Sequence, residues 1–147
     1  MSFGALSAAA VRALSIGAAQ AGCYINTGEG GLSPHHLEGG GDVVFQIGPA
    51  KYGARTPDGD LDWDALARIG HLPQVRAIEV KAGQGAKPGK GGILPGVKVT
   101  PEIAKIRGIP AGEDSISPNR HLDIGNVREL GLFIEKLREI KIGRAHV

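Results

Sequence analysis

The hydrophobic and polar positions of the chain switch repeatedly between strand-like and helix-like spacing. Short apolar runs suited to buried strands or strand ends occupy residues 2–6, 23–25, 43–47, 77–80 and 115–117. Apolar residues at helical spacing follow over residues 8–21, 63–69, 101–107 and 127–140. Because strands and helices alternate along the chain, the pattern predicts an α/β fold with a parallel sheet.

Helix-start residues stand at the boundaries that this pattern requires. The predicted N-caps are Ser7, Asp60 or Asp62, Thr100 and Asn126. Gly22 follows the first helical segment, where a glycine commonly ends a helix.

Glycine is the compositional anomaly, with 24 residues in 147, more than twice the roughly 7% of an average protein. The glycines cluster in residues 26–31 and 81–96, and the second segment is too rich in glycine and proline for any regular element. Together with the polar segment 117–123, each follows a predicted strand. Ligands of parallel α/β sheets bind at the carboxyl ends of strands, so these three loops are predicted to face one site.

Charge and cysteine content limit the binding partners and the cellular compartment that can be expected for the protein. A net charge of +2 without a long Lys/Arg run argues against a nucleic-acid partner. The single cysteine, Cys23, excludes an internal disulfide and favours a reducing compartment; it is predicted to be a small buried hydrophobe. No apolar run approaches 18 residues and no basic start precedes one, so a cytoplasmic location is expected.

Two further features have ordinary structural interpretations. His35 and His36 are adjacent in a loop without a carboxylate at metal-ligand spacing, so a surface pair is predicted rather than a metal site. Trp63 is predicted to be a core residue, because only 4% of the chain is aromatic and no second aromatic accompanies it.

Four motifs, in order, carry a family resemblance. They are MSFGALS at 1–7, NTGEGG at 26–31, QGAKPGKGGILPG at 84–96 and ISPNRHLD at 116–123. The chain resembles the FMN-binding domain of glutamate synthase, and most of all its shorter stand-alone relatives, over nearly all of residues 1–140. The resemblance implies a partial (β/α)8 TIM barrel, roughly the N-terminal half, in residues 1–141. A complete barrel needs roughly 250 residues.

The resemblance also implies a reaction. Reduced FMN passes a hydride to the imine formed from 2-oxoglutarate and ammonia, and the product is glutamate. The ammonia is free or derived from glutamine, and an electron-donor protein or subunit is implied. An iron–sulfur cluster belongs to the part of full-length relatives that lies beyond these residues.

Position by position, the resemblance assigns roles to individual residues. Lys87 lies near both flavin and 2-oxoglutarate, Arg107 binds a substrate carboxylate, and Glu29 lines the substrate site; Lys87 and Glu29 are the catalytic candidates. The implied cofactor-binding residues are Met1, Ser2, Phe3, Gly4, Asn26, Gln84 and Lys87. From the residues alone, Arg107 is explained equally well as a cation at a helix C-terminus.

The chain departs from the family pattern at two places. Ile93 stands where the full-length enzymes typically have a glutamine that reaches 2-oxoglutarate, so substrate identity is open. The segment 119–123 keeps one histidine, His121, where the family has two.

Residues 142–147 resemble the translation of a common sequencing adapter, so we expect them to be a non-native tail and the true chain to continue; a natural basic tail is the alternative. A half-barrel is expected to expose an apolar sheet edge and inner face and to self-associate. Two other functions stay open at this point: a non-redox TIM barrel that binds a phosphorylated ligand, and an inactive truncated segment.

Overall fold

The chain is described by a computed structural model that covers residues 1–87 and 89–140, and the backbone of 145–146. The helices are α1 (Ala8–Gln20), α2 (Pro34–Leu37), α3 (Trp63–Gly70), α4 (Pro101–Arg107) and α5 (Val127–Ile140). The strands are β1 (Ile25–Asn26), β2 (Val43–Ile47), β3 (Val75–Val80), β4 (Ile93–Leu94), β5 (Ser115–Ile116) and β6 (Ala145–His146).

The main sheet is parallel, and its strand order β1-β2-β3-β6 follows the order of the chain. The predicted α/β fold with a parallel sheet is therefore confirmed. The expected tail, residues 142–147, lies outside the described residues except for the backbone of β6, which pairs with β3. β1 is an edge strand, with no described strand on its outer side.

Alternation of side chains along β2 and β3 gives the sheet two different faces. Phe45 of β2 and Ile78 of β3 are register partners and are buried against Leu66 of α3 and Leu137 of α5. On the other face, Gln46 donates through its side chain to Glu79, its register partner, and both are half-buried. The core therefore lies between the sheet and the helices, while the other face is polar at this position.

A second, smaller core joins the start of the chain to α1, β4 and α4. Its buried residues are Phe3, Val11, Leu94, Val99, Ile103 and Ala104. This core fixes the N-terminal segment beside β4 and α4, and both of these elements reach the candidate site.

The predicted helix caps are confirmed, with Asp62 rather than Asp60 capping α3. The side chains of Ser7, Asp62, Thr100 and Asn126 accept hydrogen bonds from the first turns of α1, α3, α4 and α5. Gly22 adopts a φ of +67°, the left-handed conformation expected of a glycine after a helix.

Three predictions of local structure are wrong. Residues 2–6 form no strand; Phe3 and Leu6 make only an isolated bridge. Cys23 is exposed, because the strand begins two residues later, at Ile25. The loop 81–96 contains the short strand β4, which pairs antiparallel with β5 and buries Leu94 in the second core.

The histidine pair is not a surface pair. His36 is fully buried, and its Nδ1 lies 3.1 Å from the backbone N of Ser33 and 2.8 Å from the Ser33 Oγ. Its Nε2 lies 2.7 Å from the carbonyl oxygen of Met1. Because both ring nitrogens have partners, burial is tolerated, and it lowers the pKa of His36. His35 is half-buried, with its ring edge-on to Phe3.

Trp63 packs against the main core, as predicted, although it is only half-buried. The ring centroid of Trp63 lies 5.5 Å from that of Phe133. The Lys136 amino group lies 3.9 Å from the Trp63 centroid. No helix in the described part of the chain is long and apolar enough to cross a membrane.

Candidate functional site

A cavity of about 300 Å³ lies at the carboxyl end of the main sheet, between the glycine loops and α4. It is lined by Ser2, Ala5, Gly28, Glu29, Gln46, Tyr52, Lys81, Gln84, Lys87, Gly92, Ile93, Leu94, Arg107 and Ser115. The predicted glycine loops 26–31 and 81–96 therefore do face one site.

No residue of the third predicted loop, 117–123, lines the cavity, although Ser117 contacts two residues that do. The Ser117 Oγ accepts from the backbone N of Gly92 at 2.8 Å and lies 3.5 Å from a carboxylate oxygen of Glu29. The rest of the segment turns toward a second cleft, where Asp123 pairs with the buried Lys51 at 3.0 Å. Its preceding strand, β5, is antiparallel to β4 and does not extend the parallel sheet, so the prediction that this loop faces the same site is wrong: the loop only contacts residues of the cavity wall.

A hydrogen-bonded network holds the Glu29 carboxylate in the cavity. Gln84 donates from its side-chain amide to both carboxylate oxygens, each at 2.8 Å. The Lys81 ammonium pairs with the same carboxylate and donates to the Gln84 side-chain oxygen at 3.1 Å. Charge-assisted bonds of this kind are stronger than neutral ones. Glu29 is therefore fixed in place by two residues of the neighbouring loop.

Lys81 is a site residue that the sequence analysis missed. It is the first residue after β3, and its backbone N–H donates to the carbonyl of Ile47 at 3.0 Å. A charged residue directly at the carboxyl end of a predicted buried strand is the signal that could have identified it.

His121 contacts the backbone of Lys81. This histidine is buried, and its Nε2 lies 3.0 Å from the Lys81 carbonyl oxygen. Burial lowers the pKa of His121, and its Nδ1 has no hydrogen-bond partner among the described residues. The one histidine of segment 119–123 thus contacts the backbone of a site residue.

Arg107 is buried at the wall of the cavity without a carboxylate partner among the described residues. Its Nη1 donates to the Ser115 Oγ at 2.9 Å, while Nη2 makes longer contacts with Ser2 Oγ (3.5 Å) and the Phe3 carbonyl (3.4 Å). Burial lowers the pKa of Arg107, and the nearby Tyr52 and Glu29 oppose that shift. A buried guanidinium without a counter-ion is suited to an incoming anion.

Tyr52 and Ser115 are further cavity residues that the sequence did not reveal. The Tyr52 ring is buried with its centroid 5.0 Å from the Arg107 guanidinium carbon. Ser115 donates from its hydroxyl to the Tyr52 hydroxyl at 2.8 Å. Both residues therefore contact the guanidinium that faces the cavity.

The remaining predicted residues divide between the cavity and its surroundings. Lys87 lines the cavity as an exposed side chain, with no ion-pair partner among the described residues. Ser2 lines it too, whereas Phe3 is buried in the second core and contributes its carbonyl to Arg107. Gly4 lies behind the wall, since a Cβ there would be 3.3 Å from the guanidinium.

Met1 and Asn26 do not line this cavity. Both border a separate apolar groove beside β1. The Asn26 side-chain oxygen accepts from the backbone N of Gly28 at 2.8 Å, so it shapes the glycine loop from outside. The resemblance assigned these two residues to the cofactor, and within the described chain they are neighbours of the site.

Two glycines are required by close approach of neighbouring segments. A Cβ at Gly30 would lie 2.3 Å from the Ser2 Oγ, and one at Gly91 would lie 1.4 Å from the carbonyl oxygen of Ser117. Any side chain would push these segments apart. These two glycines thus let the segments beside the cavity pack closely.

The fold and the site define the chain as a parallel α/β protein with a charged ligand cavity at the carboxyl ends of its strands. It belongs to the glutamate synthase family: the model for the conserved region in glutamate synthase matches residues 1–147.

Individual relatives agree with this membership. The chain is 45% identical over 141 residues to the glutamate synthase large subunit-like protein YerD of Bacillus subtilis, covering 95% of this chain and 27% of that protein. It is 37% identical over 139 residues to an archaeal-type glutamate synthase [NADPH] of Thermotoga maritima and to an archaeal glutamate synthase [NADPH] of Methanocaldococcus jannaschii. Each of these matches covers 95% of this chain and 25% of the relative. The chain thus spans about a quarter of the length of these relatives.

Proposed function

We propose that the chain is the N-terminal half of an FMN-binding (β/α)8 barrel that reductively aminates 2-oxoglutarate to glutamate. Family membership supports the reaction class. The barrel is supported by the parallel strands in chain order, by the open edge at β1, and by a polar cavity at their carboxyl ends.

Arg107 is the observation that carries the proposal. Its guanidinium is buried at the cavity wall, and no carboxylate of the described residues forms an ion pair with it. A substrate carboxylate supplies the missing negative charge and accepts the in-plane N–H groups of the arginine in a bidentate pair. Arg107 is therefore the anchor for one carboxylate of the 2-oxo acid.

We expect the ring end of the flavin to lie in this cavity. Lys87, Ser2 and Gly92 all line it, and Lys87 has no ion-pair partner among the described residues. When bound, reduced FMN supplies the hydride. A cation such as Lys87 favours the anionic form of reduced flavin when it lies near the ring's N1/O2 edge. Segments beyond the described residues must hold the phosphate.

Glu29 is proposed to face the nitrogen substrate. Its carboxylate is held in the cavity by Lys81 and Gln84 and cannot turn away without breaking three hydrogen bonds. A fixed carboxylate attracts ammonium and accepts hydrogen bonds from the amine nitrogen as the imine forms. The same network keeps Lys81 from competing for the substrate carboxylate.

Further partners follow from the family. Two relatives bear NADPH in their names, which supports a reduced nicotinamide as the source of electrons. An electron-donor protein or subunit, and an iron–sulfur cluster outside these residues, are part of the proposal. Ammonia reaches the site either free or from glutamine.

Absorbance and turnover of the intact protein test the proposal. Purified protein should show flavin absorbance and should oxidise a reduced donor only when 2-oxoglutarate and ammonia are both present. Arg107→Ala should abolish saturation by 2-oxoglutarate, whereas Arg76→Ala, at an exposed surface position, should not. A colourless protein that ignores added FMN would falsify the flavin assignment and would favour a non-redox barrel.

A further inference from the structure

Tyr52 is a buried tyrosine whose contacts converge on the proposed substrate anchor. Its ring centroid lies 5.0 Å from the Arg107 guanidinium carbon and 5.8 Å from that of Arg55. Neither guanidinium has a carboxylate partner among the described residues. The Tyr52 ring is therefore the one aromatic face that the described contacts give to either cation.

The hydroxyl of Tyr52 orders a chain of hydrogen bonds that ends on the same arginine. Arg107 donates from Nη1 to the Ser115 Oγ at 2.9 Å, and Ser115 donates to the Tyr52 hydroxyl at 2.8 Å. Since the serine proton is directed to tyrosine, a lone pair of the serine oxygen stays directed at the guanidinium. Tyr52 thus contacts Arg107 with its ring and, through Ser115, with its hydroxyl.

The contacts of the guanidinium are the Tyr52 ring, the Nη1 bond to Ser115 and two contacts of Nη2, and its Nε has no hydrogen-bond partner among the described residues. None of these partners is a carboxylate, so the positive charge remains available to an anionic ligand. Contact with a ring consumes no N–H donor, whereas an ion pair with a protein carboxylate would occupy two. The contacts of Nη2, to Ser2 and Phe3, are 3.4 to 3.5 Å long and are therefore weak. An arginine held in this way is oriented but not neutralised.

The backbone around Tyr52 is itself tightly held. The preceding residue, Lys51, has a φ of +56°, a left-handed conformation that is costly for a lysine. Its backbone N–H donates to the carbonyl of Gly48, its carbonyl accepts from Ala54, and its buried ammonium pairs with Asp123. Unfavourable backbone geometry that is stabilised on several sides is typical of residues that place a functional neighbour.

We propose that Tyr52 is a positioning residue that orients the Arg107 guanidinium toward the carboxylate of the substrate. The inference rests on the proposed function, because it takes Arg107 as the carboxylate anchor. It assigns affinity for the 2-oxo acid, rather than flavin binding or nitrogen chemistry, to a residue outside the charged network of Glu29.

The test is a titration of the intact, oxidised flavoprotein with 2-oxoglutarate in the absence of ammonia and reductant, followed by the change in flavin absorbance. Tyr52→Leu removes ring and hydroxyl and should raise the Kd by about tenfold, the effect of a lost cation–π contact together with a hydrogen bond. Tyr52→Phe keeps the ring but loses the hydrogen bond from Ser115, and it should raise the Kd by about threefold. Tyr24→Leu, at an exposed tyrosine beside β1, is the matched control.

Steady-state kinetics separate positioning from general damage. Tyr52→Leu should raise the KM for 2-oxoglutarate and leave the KM for ammonia and the flavin content unchanged. An unchanged Kd in Tyr52→Leu, with binding lost in Arg107→Ala, would overturn the role of Tyr52 and keep the proposed function. Unchanged binding in both variants would overturn the proposed function itself.

If Tyr52→Leu does not retain flavin, a double-mutant cycle tests whether Tyr52 positions Arg107. Tyr52→Phe and Ser115→Ala are smaller changes, and both interrupt the same hydrogen-bond chain to Arg107. Their effects on the Kd should be smaller in combination than the sum of the two single effects. Additive effects, or no effect of either variant, would contradict the proposal.

Discussion

Gln84 donates to both oxygens of Glu29, at 2.8 Å each, and by this contact the two glycine loops are joined across the cavity. The residues are 55 positions apart in the chain. Lys81 completes the network by contacting both of them. A carboxylate that is held by an amide and an ammonium has a fixed direction, which a site for a small polar substrate requires.

Removing the ammonium of this network should impair the site more than the fold. Lys81→Met keeps the length of the side chain but leaves Glu29 with Gln84 and the weaker contact to Ser117. We expect kcat/KM to fall by about 10- to 100-fold, the effect of a lost charge-assisted hydrogen bond. The measurement is steady-state turnover of the intact protein. Lys90→Met, in the same loop but outside the cavity lining, is the control and should retain activity.

Lys87 is expected to matter through its ammonium group, which has no ion-pair partner in the part of the chain that the structure describes. In the intact protein, Lys87→Ala should lower flavin reduction or substrate affinity by roughly 2–4 kcal/mol, the range for a lost charge-assisted contact. Lys87→Arg keeps the charge and should recover part of the loss. Titration with FMN and 2-oxoglutarate measures both effects. Unchanged behaviour of Lys87→Ala would remove the lysine from the mechanism.

Local signals were sufficient for much of the fold. A helix cap acts within four residues, so Ser7, Asp62, Thr100 and Asn126 could be identified from sequence, and β2 could be identified from its alternation. The failures came where distant residues decide the outcome. His36 is buried because Ser33 and the Met1 carbonyl form hydrogen bonds with its two ring nitrogens. Nothing in the sequence around His35 and His36 indicates the distant partner, Met1.

The residues of the candidate site likewise include some that the sequence indicated and some that depend on distant contacts. The family resemblance pointed to Glu29, Gln84, Lys87 and Arg107, all of which line the cavity. Tyr52 and Ser115 were not found, because their relation to Arg107 depends on how a turn after β2 meets β5 across the cavity. Spacing along the chain gives no information about such a contact.

Buried His36 makes stability depend on pH. Burial lowers its pKa in the folded state from the ordinary value of 6.5, so the unfolded chain binds a proton more readily. The stabilising contribution is complete above about pH 6.5 and is lost as the pH falls toward the folded pKa. We expect the Tm of the intact protein to decrease between pH 7.5 and pH 5.

The matched variant is His36→Gln, which retains hydrogen-bonding capacity but does not titrate. Its Tm should be lower at pH 7.5 and should change less with pH than the Tm of the parent. His71→Gln, at an exposed position after α3, is the control and should keep the parent's slope. An equal slope in all three proteins would show that His36 does not contribute to the pH dependence.

The groove beside β1 predicts self-association of the isolated 147-residue chain. Leu14 and Tyr24 line this groove and are 41% and 62% exposed, and β1 has no described strand on its outer side. Apolar surface at an open sheet edge favours association. Sedimentation velocity should show oligomers or aggregates, and Leu14→Lys should reduce them. Leu132→Lys, at an exposed leucine on α5, should not. Sedimentation of the parent chain as a monomer with a cooperative melt would contradict the prediction.

Substitutions at Ile93 can distinguish between candidate 2-oxo acid substrates. Ile93 lines the cavity and is 64% exposed, but its aliphatic side chain can donate no hydrogen bond to a ligand. Exchange for glutamine places a donor beside the cavity without adding charge. If the pocket accepts 2-oxoglutarate, Ile93→Gln should lower the Kd for it by roughly three- to tenfold, because one hydrogen bond contributes about 0.5–1.5 kcal/mol.

The control for this exchange is Ile93→Leu, which conserves volume and polarity and should leave the Kd for 2-oxoglutarate unchanged. Titration of the oxidised, intact protein with 2-oxoglutarate and with an aliphatic 2-oxo acid distinguishes the outcomes. A gain for the dicarboxylate alone would mean that the cavity is built for 2-oxoglutarate and that isoleucine weakens its binding. No gain for 2-oxoglutarate, combined with a loss for the aliphatic acid, would mean that Ile93 contacts an apolar chain. In that case the natural substrate is a different 2-oxo acid, still anchored by Arg107.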